Sequence, residues 1–416
     1  MQRKRVLIYA QSMVGLGHVV RGVALAEALS PVFEVVLITG GSAHLTLAPT
    51  QQYRSVQLIP LQLNPTRRLT SHPLYLDENP SCLVCLEPQM SAEEALRTRK
   101  ERIMHEVSDF QPDVVITEFF PLGRWVFGVE LLPAIRHARK WGARIVCSIR
   151  DIVKPMDHDS AWRARLGNEY DASFRTYYRR SIEMLNAQYD ALLVHSDQNL
   201  IDLSDSVVGV ENISVPIRYT GYLSAALHVG VGDEEYQCES RETRRFAIIS
   251  AGGGGGEAEF FEDWLPALDT VRQGDLGRDG TIVALCGPLM EENSYRRLKE
   301  TYNQPLAVIV KRYTRLFQDL MNRSAFSISR CGYNTTFNIL RSTAPALVNP
   351  ARHHIDQRIR ARHLDLNGAA TCCKSDLKFD ERVALLSATL HAPVPARNIN
   401  TDGAAHTRQE VTNLFS

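Results

Sequence analysis

The sequence predicts an α/β protein built from two Rossmann-like, doubly wound domains. Three observations carry that prediction. Short runs rich in Val, Ile and Leu alternate with amphipathic helical patterns. The alternation stops in a polar, acidic stretch at 230–242 and then starts again. The length of 416 residues suits two or three domains of ordinary size.

In chain order, strand-like runs fall at 6–10, 34–39, 113–117, 144–148 and 191–195. They are short and almost wholly apolar, as parallel strands covered on both faces must be. Helical patterns at 19–29 and 92–110 lie between them, with their apolar positions on one face. Residues 61–90 are proline-rich with little periodicity and read as a long loop beside whatever the first domain binds. After the third run, Phe119, Phe120, Trp125, Val129 and Leu132 form an apolar stripe. It reads either as core or as a greasy acceptor or membrane-facing patch, which leaves peripheral membrane contact open. The second series of strands is 246–250, 281–285, 306–310, 325–329 and 346–348. The expected division is 1–222, a linker at 223–244, 245–392, and a tail at 393–416 with a short helix at 407–415.

Lys+Arg and Asp+Glu both number 47, so the formal net charge is zero, which disfavours nucleic acid as the main partner. The basic N-terminus runs into the first strand with no long apolar segment, so it does not read as a secretory signal. No apolar run approaches the ~20 residues of a membrane-spanning helix. Cys147 and Cys286 lie in strand-like runs and Cys331 in a glycine turn, a usage expected of a reduced, cytoplasmic protein. Cys82 and Cys85 form a CxxC without a matching second pair, since Cys372–Cys373 is not one; packing or loop cysteines are expected there, and no metal.

The most informative stretch is 327–341. A short apolar run ends at Arg330-Cys-Gly332, and a helical pattern begins near Thr335. A strand that feeds a glycine turn and a helix start gathers free backbone N–H groups and the helix dipole at one point, which suits an anion. Arg330 adds charge, and Asn334, Thr335 and Thr336 add neutral donors, a set that suits a diphosphate. A second glycine loop, Ser250-Ala-Gly252-Gly253-Gly254-Gly255-Gly256, follows the first strand of the second domain. Five consecutive glycines are costly unless backbone freedom or lack of side chains is used, and a phosphate-facing loop uses both. It lacks the Gly-Lys-Ser/Thr of an ATP-hydrolysing loop. In the first domain, Gly15-Leu-Gly17-His18 opens a helix directly after strand one. His18 then projects at the C-terminal sheet edge, where an imidazole titrating near neutrality can take a proton from a hydroxyl. The spacing is not G-x-G-x-x-G and no acid ends the second strand, which disfavours a dinucleotide. Asp356-Gln357 follows the strand at 346–348 and offers several directional bonds to sugar hydroxyls. His353 and His354 are adjacent and point different ways on regular structure, so they do not read as a metal pair.

Together these motifs resemble the GT-B glycosyltransferases. Arg330-Cys-Gly-Tyr-Asn-Thr-Thr-Phe-Asn338 is similar to the nucleotide-sugar signature of the UDP-glycosyltransferases and of the lipid II-forming N-acetylglucosaminyltransferases. Asp356-Gln357 matches their sugar-binding pair, and Gly15-Leu-Gly17-His18 their acceptor-side motif. A group of predicted bacterial glycosyltransferases shares segments like Ile116-Thr-Glu-Phe-Phe-Pro121, Glu130-Leu-Leu-Pro133, Cys147-Ser-Ile-Arg-Asp-Ile152 and Tyr219-Thr-Gly-Tyr222.

The resemblance implies two Rossmann-like domains across a cleft. It also implies inverting transfer, without metal or other cofactor, from a nucleoside-diphosphate sugar to a small-molecule or glycan acceptor. His18 is the implied base, with Glu118, Arg150 and Asp151 at neighbouring strand ends to orient it or bind the acceptor. Asn338 stands where the signature usually has a ribose-gripping Glu, and Arg330 where it usually has His or Ser. An amide lacks the charge-assisted strength of a carboxylate, which leaves room for a thymidine as well as a uridine diphosphate sugar. A nucleotide-sugar hydrolase and a non-catalytic helper protein on the same fold are the alternatives.

Overall fold

The computed structural model describes residues 3–13, 17–41, 52–64, 66, 73–155, 160–225, 245–253, 258–277, 279–304, 306–373, 377–393 and 398–416. It separates into two compact units, Met1–Val229 with Asn400–Ser416, and Gly230–Ile399. Most of the expected linker, 226–244, lies outside the described residues.

The first unit is built on β1 (Arg5–Gln11), β2 (Glu34–Gly40) and β3 (Arg54–Gln57), then β4 (Leu61–Leu63) and β5 (Leu83–Cys85), then β6 (Val114–Glu118), β7 (Arg144–Arg150), β8 (Ala191–His195) and β9 (Ile217–Tyr219). All except β4 and β5 join one parallel sheet in the order β3-β2-β1-β6-β7-β8-β9. Val6, Leu7, Ile8, Tyr9 and Ala10 of β1 are all buried, because helices cover both faces. The strand order turns at β1, which has β2 on one side and β6 on the other. The loops after β1 and β6 leave in opposite directions there and open a crevice at the C-terminal strand ends.

Three expectations for this unit need correction. Residues 61–90 are not one long loop: β4 and β5 pair antiparallel with Leu61 opposite Cys85, and a short helix, Pro73–Glu78, lies between them. Leu61, Leu74, Cys82 and Leu83 are buried in the core, and this burial outweighs the weak periodicity that suggested a loop. Cys82 is fully buried and Cys85 packs against the same core. The apolar stripe is not a patch either. Phe119 and Phe120 are buried in the turn after β6, Trp125 is half-buried with Nε1 donating to Ser181 Oγ at 2.8 Å, and the next α-helix begins only at Gly128. Only Val129 of the five is exposed. Finally, the tail is part of the first unit. Its helix, Gly403–Asn413, packs on the first helix, Gly17–Leu29, where Arg408 Nε donates to the Ala28 carbonyl at 2.9 Å.

The second unit carries β10 (Phe246–Ser250), β11 (Thr281–Leu285), β12 (Val308–Lys311), β13 (Phe326–Ser329), β14 (Ala346–Val348) and β15 (Thr371–Cys372). They form a parallel sheet in the order β12-β11-β10-β13-β14-β15, which turns between β10 and β13. Each strand expected here is present, so both halves are doubly wound α/β units. Among the described residues no helix is long and apolar enough to cross a membrane.

Candidate functional site

In the first unit, His18 and Glu118 meet because β1 and β6 are neighbours. His18 is the second residue of the helix after β1, and Glu118 ends β6. His18 Nδ1 lies 2.6 Å from Glu118 Oε1, and Arg21, one helical turn on, donates Nη2 to the same oxygen. All three side chains are buried. Phe119 follows Glu118 with a φ of 69° and places its ring at the centre of the group. The His18 ring packs edge-on at 5.1 Å, and the Arg21 and Arg150 guanidinium carbons lie 5.1 and 5.4 Å from the same ring centre. Gly17 has open space where a side chain would stand, whereas Gly15 lies outside the described residues. Asp151 is buried and accepts from the Ile152 N–H at 2.8 Å and the Tyr222 hydroxyl at 3.3 Å. Glu118, of the two carboxylates, is the one on His18.

Burial lowers the His18 imidazole from 6.5 to about 4; Glu118 opposes the shift, and Arg124 and Arg150 add to it. Titration near neutrality is therefore corrected to a lower pH, because the ring has left water among arginines. Burial raises the Glu118 carboxyl, but Arg21 and His18 outweigh it and hold the group at about 2. At neutral pH the pair is thus a carboxylate and a neutral imidazole. The carboxylate can only accept, so Nδ1 carries the ring hydrogen and Nε2 keeps its lone pair. A second imidazole, His195, is fully buried between Ser148 Oγ at 2.9 Å and Thr220 Oγ1 at 2.8 Å, and burial lowers it to about 3.

Both histidines bind a proton more weakly folded than unfolded. Their contribution to stability is complete above pH 6.5 and is lost as pH falls from there toward 4 and 3. Each is expected to cost about 1.4 kcal/mol per pH unit within its window. Denaturant titrations at pH 7 and pH 5 check this, with His195→Gln flattening the slope; equal stability at both values would show that these rings are protonated when folded.

In the second unit, β10 and β13 pair with Ser250 beside Ser329, so the two glycine turns leave side by side. The Gly252 N–H donates to Ser250 Oγ at 3.1 Å, and Arg330 N–H donates to the Ser250 carbonyl at 3.1 Å. Gly252 has a φ of 72°, and a Cβ there would sit 3.3 Å from Thr335 Oγ1. The helix Tyr333–Arg341 starts two residues earlier than expected, and Gly332 caps it without a side chain. Gly332 therefore offers the first-turn N–H groups no capping side chain of its own. Gly254 and Gly255 lie outside the described residues, while Gly253 follows Gly252 in the loop. Asn334 is half-buried and Thr336 fully buried.

Arg330 directly follows β13. Its guanidinium donates to the Asn349 carbonyl at 2.9 Å and Oδ1 at 2.5 Å and stacks 4.4 Å from the Phe260 ring centre. It ties the loop after β14 to the turn after β13. The sequence reading missed Arg360, which is fully buried and bridges Asp356 Oδ2 at 3.2 Å to the Cys331 carbonyl at 2.7 Å. Its spacing of four from Asp356 on one helix was the available signal. Gln357 Oε1 accepts from the Ala351 N–H at 3.0 Å. Asn338 lies half-buried on the helix from Tyr333, and its carbonyl accepts from Gln318 Nε2 at 3.2 Å. Among the described residues, no group of three or more His, Cys, Asp or Glu side chains is placed to hold a metal ion.

No family model and no curated protein matches the chain. Solved structures do. The glycosyltransferase VinC in complex with DTDP is 14% identical with a TM-score of 0.58, over 99% of this chain and 96% of that one. MurG of Acinetobacter baumannii is 16% identical with a TM-score of 0.52, over 99% and 98%. Phytolacca americana UGT2, complexed with UDP-2fluoro-glucose and pterostilbene, is 12% identical with a TM-score of 0.55, over 99% and 94%. With two parallel-sheet units and this likeness over nearly its whole length, the chain has the fold of the GT-B glycosyltransferases.

Proposed function

We propose that the protein is an inverting, metal-independent glycosyltransferase. It moves a sugar from a uridine or thymidine diphosphate sugar to a hydroxyl of a small-molecule, natural-product or glycan acceptor. The observation that carries this reading is the buried His18–Glu118 pair at 2.6 Å. With Glu118 anionic on Nδ1, Nε2 is the basic nitrogen and takes the acceptor's proton as its oxygen attacks the sugar carbon. The carboxylate stabilises the imidazolium as it forms. The leaving diphosphate gathers negative charge, which the Gly252 loop, the start of the helix Tyr333–Arg341 and Thr335 in the second unit meet with N–H and hydroxyl donors. Arg330, which donates to Asn349, steadies that turn and adds its positive charge there. Neighbouring structures bound to DTDP and to a UDP-sugar analogue are consistent with either donor.

Incubation with UDP- and TDP-sugars and a panel of hydroxyl acceptors, read by mass spectrometry, tests the proposal. A glycosylated product is expected. Rapid sugar release without acceptor would instead identify a hydrolase, and nucleotide binding without turnover a non-catalytic partner.

Gln357→Ala is expected to weaken the intact sugar nucleotide about tenfold, the worth of one good hydrogen bond, with little effect on free UDP or TDP. Asp356→Ala should weaken both, because Asp356 also steadies Arg360 on the Cys331 carbonyl. Calorimetry with the four ligands decides this; equal losses for Gln357→Ala would place that residue away from the sugar.

A further inference from the structure

We propose that Arg360 is a positioning residue of the donor subsite: it holds the Cys331 carbonyl and so aims the Gly332 N–H at the donor's diphosphate. This rests on the glycosyltransferase reading, and deepens it. Arg360 lies on the helix Ile355–Leu366 and is fully buried. Its Nη1 donates to the Cys331 carbonyl at 2.7 Å and its Nη2 to Asp356 Oδ2 at 3.2 Å. The Cys331–Gly332 peptide is trans. In a trans peptide the C=O and the next N–H point in opposite directions. A guanidinium on the carbonyl therefore turns the N–H away from the helix that carries Arg360.

The glycine loop lies on the other flank. β13 has β14 on one side and β10 on the other. The helix of Arg360 follows β14, whereas the Gly252 loop follows β10. The Gly332 N–H donates to no described residue, and a Cβ on Gly332 would meet no atom within 4 Å. Ser329, at the end of β13, is buried, and its Oγ has no partner among the described residues. The turn thus keeps an N–H and a hydroxyl open, as an oxyanion site requires.

A buried guanidinium is costly unless its N–H groups are bonded, and here a carbonyl and a carboxylate fix it. Without it the peptide can rotate about its flanking bonds, and the N–H loses its aim. The same guanidinium joins Asp356, of the proposed sugar pair, to the diphosphate turn. One side chain therefore sets the spacing of the two.

The test is NMR of the whole protein, isotope-labelled at the cysteine carbonyl carbon and the glycine nitrogen. Only Cys286-Gly287 and Cys331-Gly332 then give a correlated signal, and Gly332→Ala assigns the second by its disappearance. The Gly287 N–H is bonded to the Arg312 carbonyl at 2.7 Å and serves as the control. Titration with inorganic pyrophosphate, and separately with UDP, should move the Gly332 amide proton saturably downfield and leave Gly287 in place. Arg360→Met should move the Cys331 carbonyl carbon upfield and shrink the Gly332 shift at saturation. It should also weaken both ligands roughly ten- to hundredfold, as loss of a charged hydrogen bond does. Arg360→Lys keeps the charge but cannot bridge both oxygens; it should fall between, and serves if Arg360→Met does not fold. No saturable Gly332 shift with pyrophosphate, or an unchanged shift and affinity in a folded Arg360 variant, overturns the proposal. Absence of UDP and TDP binding by calorimetry would instead sink the glycosyltransferase reading, which the pyrophosphate titration does not require.

Discussion

Replacing His18 by alanine is expected to lower turnover by about a hundredfold to ten-thousandfold, the range for a positioned proton acceptor. Donor affinity should change little, because the groups proposed to hold the donor lie in the other unit. The acid limb of the wild-type rate profile should fall near pH 4, where His18 gains its proton and ceases to be a base. Glu118→Gln removes the neighbouring negative charge that stabilises the imidazolium, so it should move that limb to still lower pH and reduce the rate. Arg21→Gln should do the opposite to Glu118, since the carboxylate then loses a cation that holds it ionised. A folded His18→Ala protein with wild-type turnover would rule out His18 as the base.

The largest effect on stability is expected from Glu130→Ala. Arg99 and Glu130 are both fully buried. Arg99 donates Nε to Glu130 Oε2 at 2.9 Å and Nη2 to Oε1 at 2.7 Å. Arg99 Nη2 also reaches Gln11 Oε1 at 2.8 Å, Nη1 the Ile59 carbonyl at 2.7 Å, and Tyr9 donates to Glu130. The cluster joins β1, the segment before β4, and the helices Ala92–Phe110 and Gly128–Ala138. Removing the carboxylate strands a guanidinium away from water, at a cost of about 3–5 kcal/mol. Hydrogen exchange of β1 amides reads this within the first unit alone, and their protection free energy should fall by that amount, with β10 unaffected. Arg99→Met with Glu130→Leu should recover much of the loss, since an apolar pair needs no counter-charge. A loss under about 1 kcal/mol for Glu130→Ala would mean that water reaches Arg99.

The fold was legible because its signal is local. A parallel strand covered on both faces must be an unbroken apolar run, so the runs at 6–10 and 246–250 announce themselves, as do the helical patterns between them. Where the signal is weaker the reading failed. The apolar residues of β4 and β5 are too few to show a period, and only their packing on the first core makes them strands. The positions after β6 looked helical because apolar residues recur there, but the chain turns at Phe119–Gly123 before any helix begins.

The candidate site divides along the same line. Local sequence determined that His18 opens a helix after β1, that glycine loops follow β10 and β13, and that Asp356-Gln357 lies after β14, because turn and helix-start chemistry is written in adjacent residues. Only the tertiary structure decided that Glu118, a hundred positions away, is the carboxylate on His18, and that Arg330 is tied to Asn349. It alone placed the last helix on the first unit. These depend on which strands are neighbours in a sheet and which buried charges find partners. Pairing between distant segments is set by the packing of the whole chain, which no short stretch of sequence records.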